Sequence, residues 1–225
     1  MTAGAASPRR IDVAPGRLVS WIESFHERHG ALTADEADAA VSFTAADGAV
    51  AVCHVPFPPL VKSDDVVDPG DLAQQLASHA TASRTVGVLL VRLGGFAAGV
   101  FTGTEPVLAA SKVGSRLVHG RSAAGGTSQR RFARRRENQA HQALAAAADT
   151  AAAVFGPYRL DALVLGGDKR AISPIRTDVR LAPYFEVAVD AFLTVPDPRL
   201  AVLRDTPRLF RAIHVTLTEP ADEPR

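Results

Sequence analysis

The order of patterns between Thr85 and Asp168 constrains this chain more than any other feature of it. Val86–Leu93 and Phe96–Thr102 are apolar runs of strand length separated at Gly94-Gly95, which reads as a hairpin. Pro106–Ala110 and Lys112–Val118 continue the pattern as two further strands joined by a tight turn. Gly120–Ser128 (GRSAAGGTS) is a Gly/Ser loop, and Gln129–Val154 is a long, alanine-rich helix that ends before Gly156-Pro157. Leu160–Leu165 is then a short apolar strand closed by Gly166-Gly167-Asp168, as expected of a buried parallel strand. Strands, a long helix and a buried strand in that order predict an α/β fold: a mixed β-sheet with flanking helices.

The flanks are less constrained. Pro15–His29 has Leu18, Ile22 and Phe25 on one helical face and Gly30 in position to end the helix. Val41–Phe43 and Val50–Val55 form a hairpin closed at Asp47-Gly48. The Pro56, Pro58, Pro59 cluster ends it, residues 56–70 read as a connection, and Asp71–Ala80 as a short helix. Beyond Lys169, Arg170–Leu181 reads as helical after Pro174, Pro198–Leu203 as a short helix, and Phe210–Leu217 as a closing strand. Residues 1–12 and 220–225 read as frayed tails.

Composition excludes several classes. The lone cysteine, Cys53, rules out an intramolecular disulfide framework and a Cys-rich zinc site. The longest apolar run, Val86–Leu93, includes Arg92 and is far too short to span a bilayer, so no membrane partner is expected. The N-terminal MTAGAASPRRID has no apolar signal region, which makes a cytoplasmic location the expectation.

A net charge of only +1 hides a local imbalance. Between Glu105 and Glu137 there is no acidic residue, while the segment holds Lys112, Arg116, Arg121, Arg130, Arg131, Arg134, Arg135, Arg136 and His119. Five of these arginines fall in the first turns of the long helix, where the macrodipole disfavours a cation by roughly 0.3–1 kcal/mol. Arg130 with Arg134 and Arg131 with Arg135 are like-charge i,i+4 pairs, each costing a few tenths of a kcal/mol more, and Glu137 relieves Arg134 only in part. In a chain whose basic residues are 22 arginines and 3 lysines, a solvated helix face in an arginine-rich proteome would also account for them. A polyanion that supplies the missing negative charge accounts for their concentration at a helix N-terminus. Helix N–H groups and guanidinium forks together suit phosphate, and an acid-free window suits a nucleic-acid backbone.

Within the loop, Gly125-Gly126 permits positive φ and close approach of the main chain to a ligand, and Thr127 or Ser128 suits the helix cap. Gln129 follows at the tip. A glutamine does not titrate, so it is no general base, but its amide orients a water and its N–H faces a developing oxyanion.

These residues resemble a known loop. His119-Gly120-Arg121, Gly125-Gly126, Gln129, Arg131-Phe132-Ala133-Arg134 and Arg136 are similar to the catalytic loop of the class I release factors of eukaryotes and archaea. They resemble more closely the bacterial branch of Vms-like release factors (VLRF peptidyl-tRNA hydrolases), in which the loop is longer and Gln stands apart from the glycines, as Thr127 and Ser128 separate them here. The resemblance is dense over 84–142. It implies the release-factor catalytic (middle) domain, an RNase H-like fold of the translational machinery. It also implies hydrolysis of peptidyl-tRNA in the peptidyl-transferase centre of the large ribosomal subunit. In that reading Gln129 positions water, Gly125 and Gly126 let the loop enter, and the arginines hold RNA phosphates, with no cofactor and no metal. Nothing in the sequence resembles a codon-reading domain, so stalled chains rather than stop codons are the expected target. The expected layout is one catalytic domain over 13–219, comprising a helix/hairpin/helix part (13–80) and a core (84–219) with its catalytic loop at 120–129.

Other residues are read as structural. His119, closing a strand, reads as structural or phosphate-contacting, and His26, His29, His54, His79, His141 and His214 lack metal-ligand spacing. Asp64, Asp65 and Asp68 read as solvated loop carboxylates. Asp161 and Asp168 flank a buried strand as metal-binding acids in nucleases do, but no further acid accompanies them. Gly166-Gly167-Asp168-Lys169 lacks the spacing of a phosphate-binding P-loop. Phe96, Phe101, Phe132, Phe155 and Trp21 read as core. Three functions remain open on the residues: a peptidyl-tRNA hydrolase, a nuclease of the tRNA 3′-CCA end, and a non-catalytic ribosome- or RNA-binding module.

Overall fold

A computed structural model of the chain describes residues 7–61, 68–92, 95–115 and 128–220, with the backbone alone over 128–138. In chain order the elements are β1 (Arg9–Val13), a 3-10 turn (Pro15–Arg17), α1 (Leu18–His29), β2 (Leu32–Ala37), β3 (Ala40–Ala45), β4 (Val50–His54) and α2 (Pro69–Thr81). They continue as β5 (Val86–Arg92), β6 (Gly95–Thr102), β7 (Val107–Ser115), α3 (Ser128–Phe155), β8 (Ala162–Gly167), α4 (Lys169–Ile175), α5 (Ala182–Glu186), β9 (Ala188–Leu193), α6 (Leu200–Phe210) and β10 (Ile213–Thr218). Among the described residues no helix is long and apolar enough to cross a membrane.

The chain divides into two compact units, 1–82 with 210–225 and 83–209, where one domain over 13–219 was expected. The first unit is built on an antiparallel sheet of order β1-β10-β4-β3-β2. Helix α1 buries Leu18, Ile22 and Phe25 against it at the spacing read from the sequence, and Gly30 (φ 87°) ends the helix by donating its N–H to the His26 carbonyl. The β3–β4 hairpin turns at Asp47-Gly48, with Gly48 at φ 90°. The Asp47 carboxylate accepts from the Ala49 N–H and meets His29 Nδ1 at 2.8 Å, and these contacts hold its carboxyl below the usual range. Asp68 is exposed, as expected of a solvated carboxylate, and its side chain also caps α2 by accepting from the Asp71 N–H at 2.9 Å. Asp64 and Asp65 lie outside the described residues.

Two expectations for this unit change. Residues 9–12, read as part of a tail, belong to β1, which pairs with β10 some two hundred positions later (Arg9↔Leu217, Val13↔Ile213). Leu32–Ala37 was not read as a strand because it carries one large apolar residue, yet it forms the sheet edge beside β3.

Cys53 lies fully buried in this sheet, and burial pushes its thiol up to about 12. The native thiol is therefore expected to resist Ellman's reagent at pH 8.5, where an unfolded cysteine is about half thiolate. Its reaction rate should rise only as denaturant opens the sheet, and rapid labelling of the native protein would contradict the burial.

The second unit holds the mixed sheet, of order β7-β6-β5-β8-β9. β5, β6 and β7 are antiparallel, while β8 runs parallel to β5 and β9 parallel to β8. The long connection through α3 is what allows the parallel step from β5 to β8. The core joins Leu89, Val91 and Val100 to Ala147, Ala151 and Phe155 of α3, with Ile172 and Ile175 of α4. Phe96, Phe101 and Phe155 are buried as expected, whereas the Phe132 side chain lies outside the described residues. In the first unit Trp21 is partly buried and stacks on Phe25 with ring centroids 5.8 Å apart.

Pro106–Ala110 and Lys112–Val118 are not two strands with a turn. Val107–Ser115 is one strand: Ala110, Ser111 and Lys112 pair in regular register with Val100, Gly99 and Ala98, and the one register shift lies further back, between Val100 and Phe101. The expected strand's last residues, 116–118, lie outside the described residues. Helix α4 begins at Lys169 and contains Pro174, so helicity precedes that proline rather than following it. Helix α6 runs well past Leu203, and β9 was not anticipated.

Candidate functional site

The site expected from the sequence centres on the junction of β7 and α3. Gly125, Gly126, Thr127, Arg116, His119 and Arg121 lie outside the described residues. Ser128 is the first residue of α3 and Gln129 the second, and Arg130, Arg131, Arg134, Arg135 and Arg136 all fall within the next seven positions of helical backbone. Lys112 is exposed on β7, in register with Ala98 of β6.

Why α3 is helical at both ends differs. Its C-terminal half is alanine-rich and buries Ala147, Ala148, Ala151, Val154 and Phe155, so tertiary packing stabilises it. An outer clamp assists: the Arg180 guanidinium bonds Asp149 of α3 at 2.8 Å and Asp178 at 2.6 Å, which lowers the Asp178 pKa. Between 139 and 146 the helix is half-buried or exposed. A helix of 28 residues is about 42 Å long. Its anchored portion begins about 28 Å from Ser128, at Ala147.

The first turn has no acid. A helix start leaves four backbone N–H groups without intrahelical partners and carries the positive macrodipole pole, so five arginines there add to a potential already favourable to an anion. By residue type and helix polarity, this end of α3 is suited to an anion.

The carboxylates weighed as metal ligands serve the fold instead. Asp161 precedes β8 and accepts from the Thr85 N–H at 2.7 Å, tying β8 to the start of β5. Asp168, at the other end of β8, caps α4 by accepting from the Arg170 N–H at 2.8 Å. With the six residues of β8 between them the two are about 23 Å apart along the strand, too far to share an ion. Among the described residues no group of three or more His, Cys, Asp or Glu is placed to hold a metal.

One feature of α3 escaped the sequence reading. A pocket of about 250 Å³ opens beside it at the carboxyl ends of β5 and β8, floored by Val91, Phe96 and Leu144 and bordered by Arg92, Asp168 and Arg170. Three of the residues that the helices contribute at this level, Ala140, Ala143 and Ala171, are alanines, which leaves the space open. The Phe96 ring does not fill it but lies across Gly114 of β7, where a Cβ would come within 2.3 Å of the ring. The signal in the sequence was a run of small residues at helical spacing, which reads equally as close packing.

The chain is similar to an archaeal translation termination factor, aRF1, at 12% identity and a TM-score of 0.39, over 93% of this chain and 68% of that one. It is similar to the Vms1 mitochondrial localization core at 14% identity and a TM-score of 0.39, over 82% and 77% of the two chains. No curated protein sequence matches it. The model of the Actinobacteria/chloroflexi VLRF1 release factor family matches residues 84–216, from the start of the β5–β6 hairpin through the long helix into β10. That is more than half of the chain, and the chain therefore belongs to this family of ribosome-related release factors.

Proposed function

We propose that the protein is a peptidyl-tRNA hydrolase that frees nascent chains from stalled ribosomal complexes in the cytoplasm, working in the peptidyl-transferase centre of the large subunit. The observation that carries this reading is the coincidence of Gln129 and five arginines at the start of α3 with a family match that spans them. In this reading the Gln129 amide orients the attacking water, and a neighbouring N–H stabilises the oxyanion as the ester carbonyl becomes tetrahedral. Gly125 and Gly126 permit close approach to RNA. Arg121, Arg130, Arg131, Arg134, Arg135 and Arg136, with Lys112, Arg116 and His119, neutralise phosphates of tRNA and ribosomal RNA. The chemistry is positioning and electrostatics, and it needs no cofactor.

The test is the product formed on stalled ribosomal complexes carrying labelled peptidyl-tRNA. Free peptide with an intact tRNA CCA end supports hydrolysis of the ester. A shortened tRNA would assign a nuclease acting on the same surface, and binding with neither product would leave a non-catalytic module.

Exchanging Arg131, Arg134 and Arg135 for glutamine separates a binding role from a structural one. The slope of log affinity against log salt on ribosomal complexes should become shallower by about 2–3, at roughly 0.7–0.9 per lost phosphate contact. Thermal stability should hold or rise slightly, because both like-charge i,i+4 pairs are removed. A sharp fall in the melting temperature with an unchanged salt slope would make these arginines structural.

A further inference from the structure

The pocket beside α3 is too small for a whole cofactor: about 250 Å³ lies below the roughly 300 Å³ at which pockets for small-molecule ligands begin. It suits one planar group. Its lining is mostly apolar, and it includes both signs of charge, Asp168 together with Arg92 and Arg170. Arg92 is oriented by donating Nη1–H to the Val195 carbonyl at 2.8 Å and lies 3.8 Å from Asp197. Arg170 has no ion pair among the described residues.

A purely apolar side chain seated here would cover these charged groups without satisfying them. An acidic side chain would satisfy the guanidiniums but offer no donor to Asp168. A nucleobase meets the whole lining: apolar faces for Val91, Leu144 and the alanines, an edge with donors for the carboxylate, and an adjoining phosphate for the guanidiniums. The position agrees. Ala140 lies four residues beyond Arg136 on the same helix, about 6 Å along its axis, so a strand whose phosphates follow the arginine turns passes the pocket mouth.

We propose that this pocket receives one unstacked base of a single-stranded RNA, with Arg170 and Arg92 on the adjoining phosphate. The proposal rests on the reading of the α3 arginines as an RNA-backbone site and adds a contact that reads a base face.

The experiment measures binding of the full chain to a short fluorescein-labelled oligoadenylate and to the same oligomer lacking its bases. The wild-type protein should prefer the oligoadenylate by about tenfold or more, the scale of one base held against protein. Ala143→Leu, which fills the pocket, should bring oligoadenylate down to the abasic affinity while leaving abasic binding unchanged. Should Ala143→Leu fail to fold, methyl NMR of the wild-type protein supplies the second reading: the Ala140, Ala143 and Ala171 methyls should shift with oligoadenylate and not with the abasic oligomer. Equal affinity of the wild-type protein for both oligomers would overturn the pocket while leaving phosphate binding, and the proposed hydrolase, standing. Methyl shifts induced by a leucine-bearing acidic peptide but not by RNA would assign the pocket to a protein partner and overturn it too. Failure of the hydrolase reading shows elsewhere, as no peptide release from stalled complexes with base-dependent binding intact.

Discussion

Gln129→Ala is expected to lower peptide release from stalled ribosomal complexes by about 10²–10³-fold, the usual cost of removing one positioned donor. Binding to those complexes and the melting temperature should stay near wild-type. The expectation follows from what a glutamine amide does: its contacts gain value as charge develops in the transition state, so its loss falls on the rate and not on affinity. Gln129→Glu should not restore release, because a carboxylate repels the developing oxyanion and has no donor to offer it. Gly126→Ala should be nearly as damaging, since a Cβ blocks either a positive φ or approach to RNA. The competing account is a titrating base such as His119. It would give release a pH dependence near the imidazole range that His119→Ala abolishes. Single-turnover release by Gln129→Ala at close to the wild-type rate would overturn the assignment and leave the basic helix as a binding element.

The largest effect on stability is expected at Gly167→Ala. Gly167 stands at φ 98° where β8 turns into the cap of α4, and a Cβ there would lie 2.2 Å from the Val91 carbonyl oxygen. That oxygen also accepts the Asp168 N–H at 2.8 Å, so it has no room to retreat. Left-handed strain of about 1–3 kcal/mol and overpacking of about 1–3 kcal/mol together predict destabilisation of about 2–6 kcal/mol. Hydrogen exchange of the β5 and β8 amides, with the denaturation midpoint, would measure it. Gly16→Ala is the control: nothing lies within 4 Å of the Cβ it would add, and its stability should barely change. A Gly167→Ala protein with unaltered exchange in β5 and β8 would mean that the chain relaxes freely at this junction.

The candidate site was legible in the sequence to the extent that it is local. Gln129 and the arginines stand out because they are adjacent in the chain and carry no acidic neighbours over thirty residues. The pocket at Val91, Ala143 and Asp168 was not legible, because its walls come from four separate elements, β5, β6, α3 and α4 with its cap, and the Phe96 ring lies against Gly114. Asp68, Asp161 and Asp168 make the same point. As isolated carboxylates they could be solvated or metal-binding, and only the backbone N–H groups brought to them identify caps and ties.

By itself the sequence determined the elements whose signals are contained within them. Helix α1 follows from the spacing of Leu18, Ile22 and Phe25 with Gly30 after it, and the β3–β4 hairpin from Asp47-Gly48. The β5–β6 hairpin, the extent of α3 and the buried parallel β8 follow in the same way from turn residues, length and apolar runs. Only the tertiary structure decided which strands share a sheet. The alternation over Phe210–Leu217 announced a strand, but not that Ile213–Thr218 would enter the first unit between β1 and β4, away from the mixed sheet. β1 and β2 are edge strands with few apolar residues, and they are strands because a neighbour supplies the hydrogen bonds. Periodicity records which face of an element is buried, whereas pairing depends on partners distant in the chain, and no local pattern encodes that choice.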